Sequence, residues 1–161
     1  MRHPVKHPFR LTILTRLASL TGLLLLCTAL PAQADRDFHT TKYPLVSVAD
    51  GSEHGWVIDI HTQGVRIYAQ ERYLLSDVEP GQRYVMNLYA HSDSQCTELV
   101  VPVPGIATLT ANASGNARGG ATFEPAAVEG LPRTTYYLRW QVTDASGAVV
   151  YETACVAVAL D

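Results

Sequence analysis

Hydrophobic and polar residues alternate along most of the chain beyond its first forty residues, which is the pattern of β-strands with one buried face. The clearest example is residues 136–143, Tyr-Tyr-Leu-Arg-Trp-Gln-Val-Thr. In an extended strand Tyr136, Leu138, Trp140 and Val142 lie on one side, and the residues between them lie on the other. The pattern predicts a core strand with a polar outer face.

Other strands are predicted where the same alternation recurs between turn-forming residues. They cover residues 45–48, 56–61, 65–70, 84–90, 106–112, 117–123 and 148–160. Gly, Pro, Asn and Asp are concentrated in the turns between them. No segment in this part of the sequence shows a convincing helical period. We therefore expect an all-β fold, an immunoglobulin-like β-sandwich of about seven to nine strands with one disulfide.

Two strand entries share a proline that is followed four residues later by a tyrosine. Pro80 precedes Tyr84, and Pro132 precedes Tyr136. The stretch 75–88 resembles the corner before the sixth strand of fibronectin type III domains. The resemblance implies that the Tyr84 hydroxyl closes this corner on the backbone, and it makes Tyr136 a candidate for the same role. The alternative is that both are ordinary core tyrosines, and the resemblance implies no function.

The first 34 residues have the composition of an export signal. Four basic residues open the chain, an apolar run of 14 residues covers 17–30, and Ala32-Gln33-Ala34 supplies a cleavage site. The alternative, a membrane anchor, needs roughly 20 apolar residues. We predict a cleaved signal peptide at 1–34, a loose N-terminal segment at 35–43 and a single β-sandwich domain at 44–161. The product is expected to be secreted or periplasmic, with no transmembrane span after cleavage.

The predicted cleavage changes the charge of the chain. It removes four basic residues and leaves eight Lys and Arg against 15 Asp and Glu, a net charge of −7. An acidic surface without a basic stripe argues against nucleic acid as a partner.

Cysteine usage agrees with an exported protein. Cys27 lies in the predicted signal, so only Cys96 and Cys155 remain. We predict a structural disulfide between them, worth about 4 kcal/mol in the chain-entropy model. The alternative is a thiol pair with redox or metal chemistry, but the two residues lie outside any Cys-x-x-Cys motif.

Residues with catalytic or metal-binding chemistry have no diagnostic spacing. One alternative function is a metal-binding or metal-dependent protein that uses His54, His61 and His91, although nothing in the sequence forces these side chains together. There is no Gly-x-Ser-x-Gly motif and no free cysteine beside a histidine. Asn112 begins a tripeptide that matches the glycan acceptor pattern, which is frequent by chance. We predict no enzyme and no catalytic, cofactor or metal residues.

Tyrosines offer the best candidate for a binding surface. Tyr68, Tyr89, Tyr137 and Tyr151 occupy strand positions that the alternation leaves outside or ambiguous. Exposed tyrosine rings stack on sugars or anchor a protein partner, although tyrosine also suits half-buried strands. We expect an exported, noncatalytic β-sandwich protein that acts as a binding, adhesion or interaction module for a protein or carbohydrate ligand.

Overall fold

A computed structural model describes residues 39–62 and 68–160, and the regular secondary structure of this part is β-strand except for one short 3-10 helix. The predicted signal peptide at 1–34 lies outside these residues. The strands are β1 His39–Ser47, β2 Glu53–His61, β3 Ala69–Leu75, β4 Arg83–His91, β5 Leu99–Thr110, β6 Ala117–Phe123, β7 Thr135–Thr143, β8 Val149–Glu152 and β9 Val156–Ala159. A short 3-10 helix, Pro125–Ala127, follows β6. The all-β prediction is confirmed, and no helix among the described residues is long and apolar enough to cross a membrane.

The nine strands form one antiparallel sheet. Eight of them follow the order β5-β4-β7-β8-β1-β2-β3-β6, and β9 pairs with the beginning of β7. The sheet curls until it nearly closes on itself, so that the edge strands β5 and β6 lie against each other without a hydrogen-bonded ladder. The finer arrangement of an immunoglobulin-like sandwich stays a prediction.

The seam between the two edge strands is close and is built from residues that suit an edge. Pro102 and Pro104 lie in β5, where their missing backbone donors cost no interior ladder bond. Across the seam, a Cβ on Gly119 would lie 2.8 Å from the Cδ2 atom of Leu109. Glycine at this position lets β6 approach β5, because a side chain there would displace the buried Leu109.

The hydrophobic core lies inside the curled sheet. In β7 the alternation predicted from the sequence holds, since Tyr136, Trp140 and Val142 are buried. The Trp140 ring stacks on Tyr43 of β1 with centroids 5.3 Å apart. The largest fully buried side chains among the described residues are Leu45, Val57, Tyr73, Met86, Leu109, Trp140, Val142 and Thr153.

Several strands differ from their predicted extents. β5 covers Leu99–Thr110 and so begins seven residues before the predicted start at 106. β1 begins at His39, so residues 39–43 of the segment expected to be loose pair with β2. β3 covers Ala69–Leu75 instead of ending at residue 70. The single strand predicted at 148–160 is interrupted between β8 and β9 at Thr153. The Thr153 hydroxyl oxygen accepts a hydrogen bond from the Trp140 backbone N–H (3.2 Å), and the Thr153 backbone N–H donates to the Trp140 carbonyl oxygen (3.0 Å).

The two proline–tyrosine corners have different structures. The Tyr136 hydroxyl donates to the carbonyl oxygen of Pro132 at 3.2 Å, which is the contact expected of a tyrosine corner. Tyr84 is buried, and its ring lies near that of Tyr151 with centroids 6.0 Å apart. The corner contact is thus observed at Tyr136, and the same role for Tyr84 stays a prediction.

The predicted disulfide is present. Cys96, in the loop after β4, is bonded to Cys155, between β8 and β9. Because β4 and β9 pair with opposite sides of β7 near Tyr137, the bridge crosses that strand and joins its two neighbours.

Removing this bridge tests its contribution to stability. The variant Cys96→Ser combined with Cys155→Ser is expected to lose about 4 kcal/mol of unfolding free energy, because a 59-residue separation is no longer closed in the unfolded chain. Urea unfolding followed by tryptophan fluorescence measures the loss, with chemically reduced wild type as the comparison. A double variant as stable as the oxidised wild type would contradict it.

Candidate functional site

A pocket of about 120 Å³ lies inside the sheet, at the end where β2, β4 and β6 finish and β3, β5 and β7 begin. We call it the inner pocket. Its walls are mainly apolar because the inward positions of the strands are apolar at this end. Representative wall residues are Leu88, Ala90, Val103, Phe123, Leu138 and Val158.

The polar floor of the inner pocket contains two carboxyl groups on neighbouring strands. Asp59 of β2 and Glu71 of β3 are direct cross-strand partners, and both line the pocket. Asp59 is 4% exposed and Glu71 is 3% exposed. Like charges directly opposite each other destabilise a strand pair, and burial increases the cost of ionising both. Such an arrangement needs donors close by.

Glu71 receives two donors from the protein. The Tyr73 hydroxyl and the Trp140 Nε1–H both donate to its Oε2 atom, the latter at 2.8 Å. Burial nevertheless raises the pKa of Glu71 to about 7, and the neighbouring Asp59 carboxylate acts in the same direction, against the two hydrogen bonds and the nearby His61. Glu71 therefore changes charge near neutral pH.

Only one of the two carboxylate oxygens of Asp59 has a hydrogen-bond partner among the described residues. Its Oδ2 atom lies 3.1 Å from Nε2 of His61. Its Oδ1 atom is buried and has no hydrogen-bond partner among the described residues. A buried carboxylate oxygen without a donor is costly, and buried polar atoms in proteins are nearly always paired. Asp59 thus carries, beside the pocket, a buried acceptor oxygen that has no donor from the described part of the chain.

The pattern of the sequence did not predict this floor. The predicted strand ended at residue 70, just before Glu71. The available signal was the alternation of Ala69, Glu71, Tyr73 and Leu75, all of which are buried. An alternating pattern in which one of the inward positions is acidic indicates a carboxyl group that points into the sheet.

The three histidines proposed as metal ligands are not brought together. His54 and His61 lie on the same strand seven positions apart, which corresponds to roughly 23 Å. His54 contacts the Ser52 hydroxyl and the Ser76 carbonyl oxygen, and His91 is buried on β4. Over residues 39–62 and 68–160, no group of three His, Cys, Asp or Glu side chains is arranged to hold a metal ion.

The four candidate tyrosines do not share one face. Tyr68 lines the inner pocket, with its ring edge-on to His61 at 5.4 Å. Tyr151 lies at the opposite end of the sheet as the partner of the inward Val142 and packs on the core, where burial raises its pKa to about 12. Tyr89 and Tyr137 occupy outer positions on β4 and β7. The four tyrosines differ in the face of the sheet on which they lie and in the end of the sheet to which they belong. They therefore occupy three separate locations.

A serine–histidine contact on the β1–β2 hairpin is not set up for nucleophilic attack. The Ser52 hydroxyl lies 3.0 Å from Nε2 of His54 but only 2.6 Å from Oδ1 of Asp50. The hydrogen bond from Ser52 is the main reason that the pKa of the exposed Asp50 is lowered to about 2. A hydroxyl that donates to a carboxylate at this distance is a turn-stabilising group.

Glu71 makes the stability of the fold depend on pH. Its raised pKa means that the folded protein retains a proton that the unfolded chain releases, so this contribution is fully present below about pH 4.5 and is lost as pH rises through about 7. Between pH 5 and pH 8 we expect wild type to lose about 2 to 3 kcal/mol more unfolding free energy than Glu71→Gln, which keeps an acceptor for Tyr73 and Trp140. Urea unfolding at both pH values measures this difference.

The exposed Glu79→Gln variant is the control for a simple change in net charge. It should follow the wild-type pH dependence. If Glu71→Gln also follows the wild-type curve, Glu71 has an ordinary pKa and the floor is not as described.

Comparison with known proteins identifies no family. The chain matches no protein-family model and no curated protein. The function of the inner pocket must therefore follow from its own contacts and charges.

Proposed function

We propose that the mature chain is an exported, noncatalytic binding protein that holds a small, mainly apolar group in the inner pocket. The observation that carries this proposal is a concave apolar site with a few convergent polar groups at one end, which is the usual form of a ligand pocket. An apolar cavity of about 150 Å³ in another protein holds benzene. A pocket of about 120 Å³ therefore suits a group of about five non-hydrogen atoms.

The composition of the walls supports a ligand other than a sugar. Sugar hydroxyls need donors and acceptors on most sides, and an unpaired hydroxyl in an apolar site is costly. Beside the apolar walls, the inner pocket offers polar side chains mainly at its floor, from Asp59, His61 and Glu71. An alkyl group with one polar end, from a small molecule or a partner protein, fits this distribution better than carbohydrate.

The carboxyl pair invites comparison with an acid–base enzyme, because a raised carboxyl pKa beside a second carboxyl group is common in active sites. Glu71, however, is already bonded to Tyr73 and Trp140, which fix it in the interior. The apolar walls offer little to orient a polar substrate. These features support binding over catalysis.

We further propose that the fold is immunoglobulin-like in its finer arrangement. The support is the Tyr136–Pro132 contact together with a sheet of nine short antiparallel strands. This proposal concerns architecture and adds nothing to the ligand.

Filling the pocket tests the proposed function. n-Butanol is expected to shift the backbone amide NMR signals of pocket residues in wild type, with a Kd on the order of 1 mM. Ala90→Phe should abolish these shifts because the ring occupies the pocket space beside Leu88 and Leu138. The matched control is Ala145→Phe, which places the same ring in an exposed turn.

The control should bind n-butanol as wild type does. Wild type without butanol-dependent shifts at the pocket, or Ala90→Phe with unchanged binding, would refute the proposed function.

A further inference from the structure

We propose that the inner pocket selects a primary alkylammonium group, whose ammonium is held by Asp59 and whose alkyl stem lies against the apolar walls. This inference rests on the proposed function and names the chemistry of the ligand. It follows from three features of the pocket: an unpaired acceptor, an excess of acidic groups and the size of the apolar space.

The unpaired acceptor is Oδ1 of Asp59. The Asp59 side chain is 6% exposed, lines the inner pocket and is occupied by His61 only at Oδ2. Because Oδ1 is buried without a partner among the described residues, it is the point at which a ligand donor gains most. An ammonium group brings three donors and no acceptor, which matches the unpaired carboxylate oxygen of Asp59.

The charge of the floor favours a cation over a neutral donor. Glu71 lies directly across from Asp59, and the pocket lining contains no lysine or arginine among the described residues. A hydroxyl would satisfy Oδ1 but would leave the repulsion between the two carboxyl groups unchanged. An ammonium group offsets that repulsion and makes charge-assisted hydrogen bonds, which are roughly twice as strong as neutral ones.

The apolar walls limit the rest of the ligand. A guanidinium group is planar and presents five donors, which a site with one unpaired carboxylate oxygen and hydrocarbon walls leaves mostly unpaired. A straight alkyl stem of about four carbons fills a space of about 120 Å³ without polar atoms. Lysine side chains and small alkylamines share this structure, and both are positively charged at neutral pH.

Binding is expected to become tighter as pH rises from 6 to 8. The groups that face Glu71 are Asp59 and His61 from β2, Tyr73 from its own strand and Tyr43 from β1, and the pocket lining adds Tyr68 and Tyr136. Glu71 has a pKa of about 7, so it ionises across this range and then attracts the ammonium group.

Three probes with four carbon atoms each and different polar heads test the inference. n-Butylamine, n-butanol and butanoate are titrated into the protein at pH 7.5 and followed by amide NMR shifts. We expect n-butylamine to bind at least about tenfold tighter than n-butanol, and butanoate to bind most weakly. A parallel titration with Nα-acetyl-lysine methylamide distinguishes the source, since affinity equal to that of n-butylamine assigns the group to a polypeptide and weaker affinity assigns it to a small amine.

Two variants assign the selectivity to the floor. Asp59→Asn should reduce the affinity for n-butylamine at least about tenfold while leaving n-butanol binding intact, which also shows that the variant is folded. Glu71→Gln should flatten the rise in n-butylamine affinity between pH 6 and pH 8. Glu79→Gln, an exposed acidic residue away from the pocket, should behave as wild type.

The failures are distinguishable. Equal affinity of wild type for n-butylamine and n-butanol would overturn the alkylammonium inference and leave the proposed function standing. If none of the three probes binds, both the alkylammonium inference and the proposed function are refuted. Should Asp59→Asn not fold, the wild-type probe series and its pH dependence still decide the question.

Discussion

The buried carboxyl group of Glu71 is the constraint around which the interior is arranged. A carboxyl group inside a sheet needs donors, and Tyr73 and Trp140 supply them from β3 and β7. Those two strands are far apart in the sheet order, so the contact across the interior requires the sheet to curl. Tyr43 stacks on a face of the Trp140 ring. One polar group thereby fixes how three strands face one another.

The same group divides the interior into two parts with different chemistry. On one side of the Glu71 carboxyl lies the close-packed core, which includes Leu45, Val57 and Met86. On the other lies the inner pocket, where Asp59 retains an acceptor without a partner among the described residues. Outside the sheet, the Cys96–Cys155 bridge joins the neighbours of β7 next to the pocket wall. The disulfide and the inner pocket thus lie at the same end of the fold.

The sequence predicted those parts of the fold that follow the simple rule of apolar residues inside and polar residues outside. The alternation of β7 and the extent of β6 required nothing else. The disulfide followed instead from the two cysteines outside the predicted signal, and the Tyr136 contact followed from the proline four residues before it. The rule failed where a polar group is buried or a strand is interrupted. The buried Glu71 lies in β3, whose full extent and place in the pocket floor were not predicted. The buried Thr153 lies at the break between β8 and β9, which was not predicted either. The four candidate tyrosines lie at separate locations because the positions of the strand ends decide which outward residues are neighbours. The period of two does not locate those ends.

The central claim, that a buried carboxyl group forms part of an ammonium-selective floor, is tested most directly by the titration of Glu71 itself. Carbon-13 NMR of the glutamate Cδ atoms, assigned with the Glu71→Gln variant, reports its ionisation with and without saturating n-butylamine. Our account predicts an apparent pKa of about 7 for the free protein and a lower pKa when the amine is bound. A pKa near the ordinary glutamate value that does not respond to the amine would contradict it.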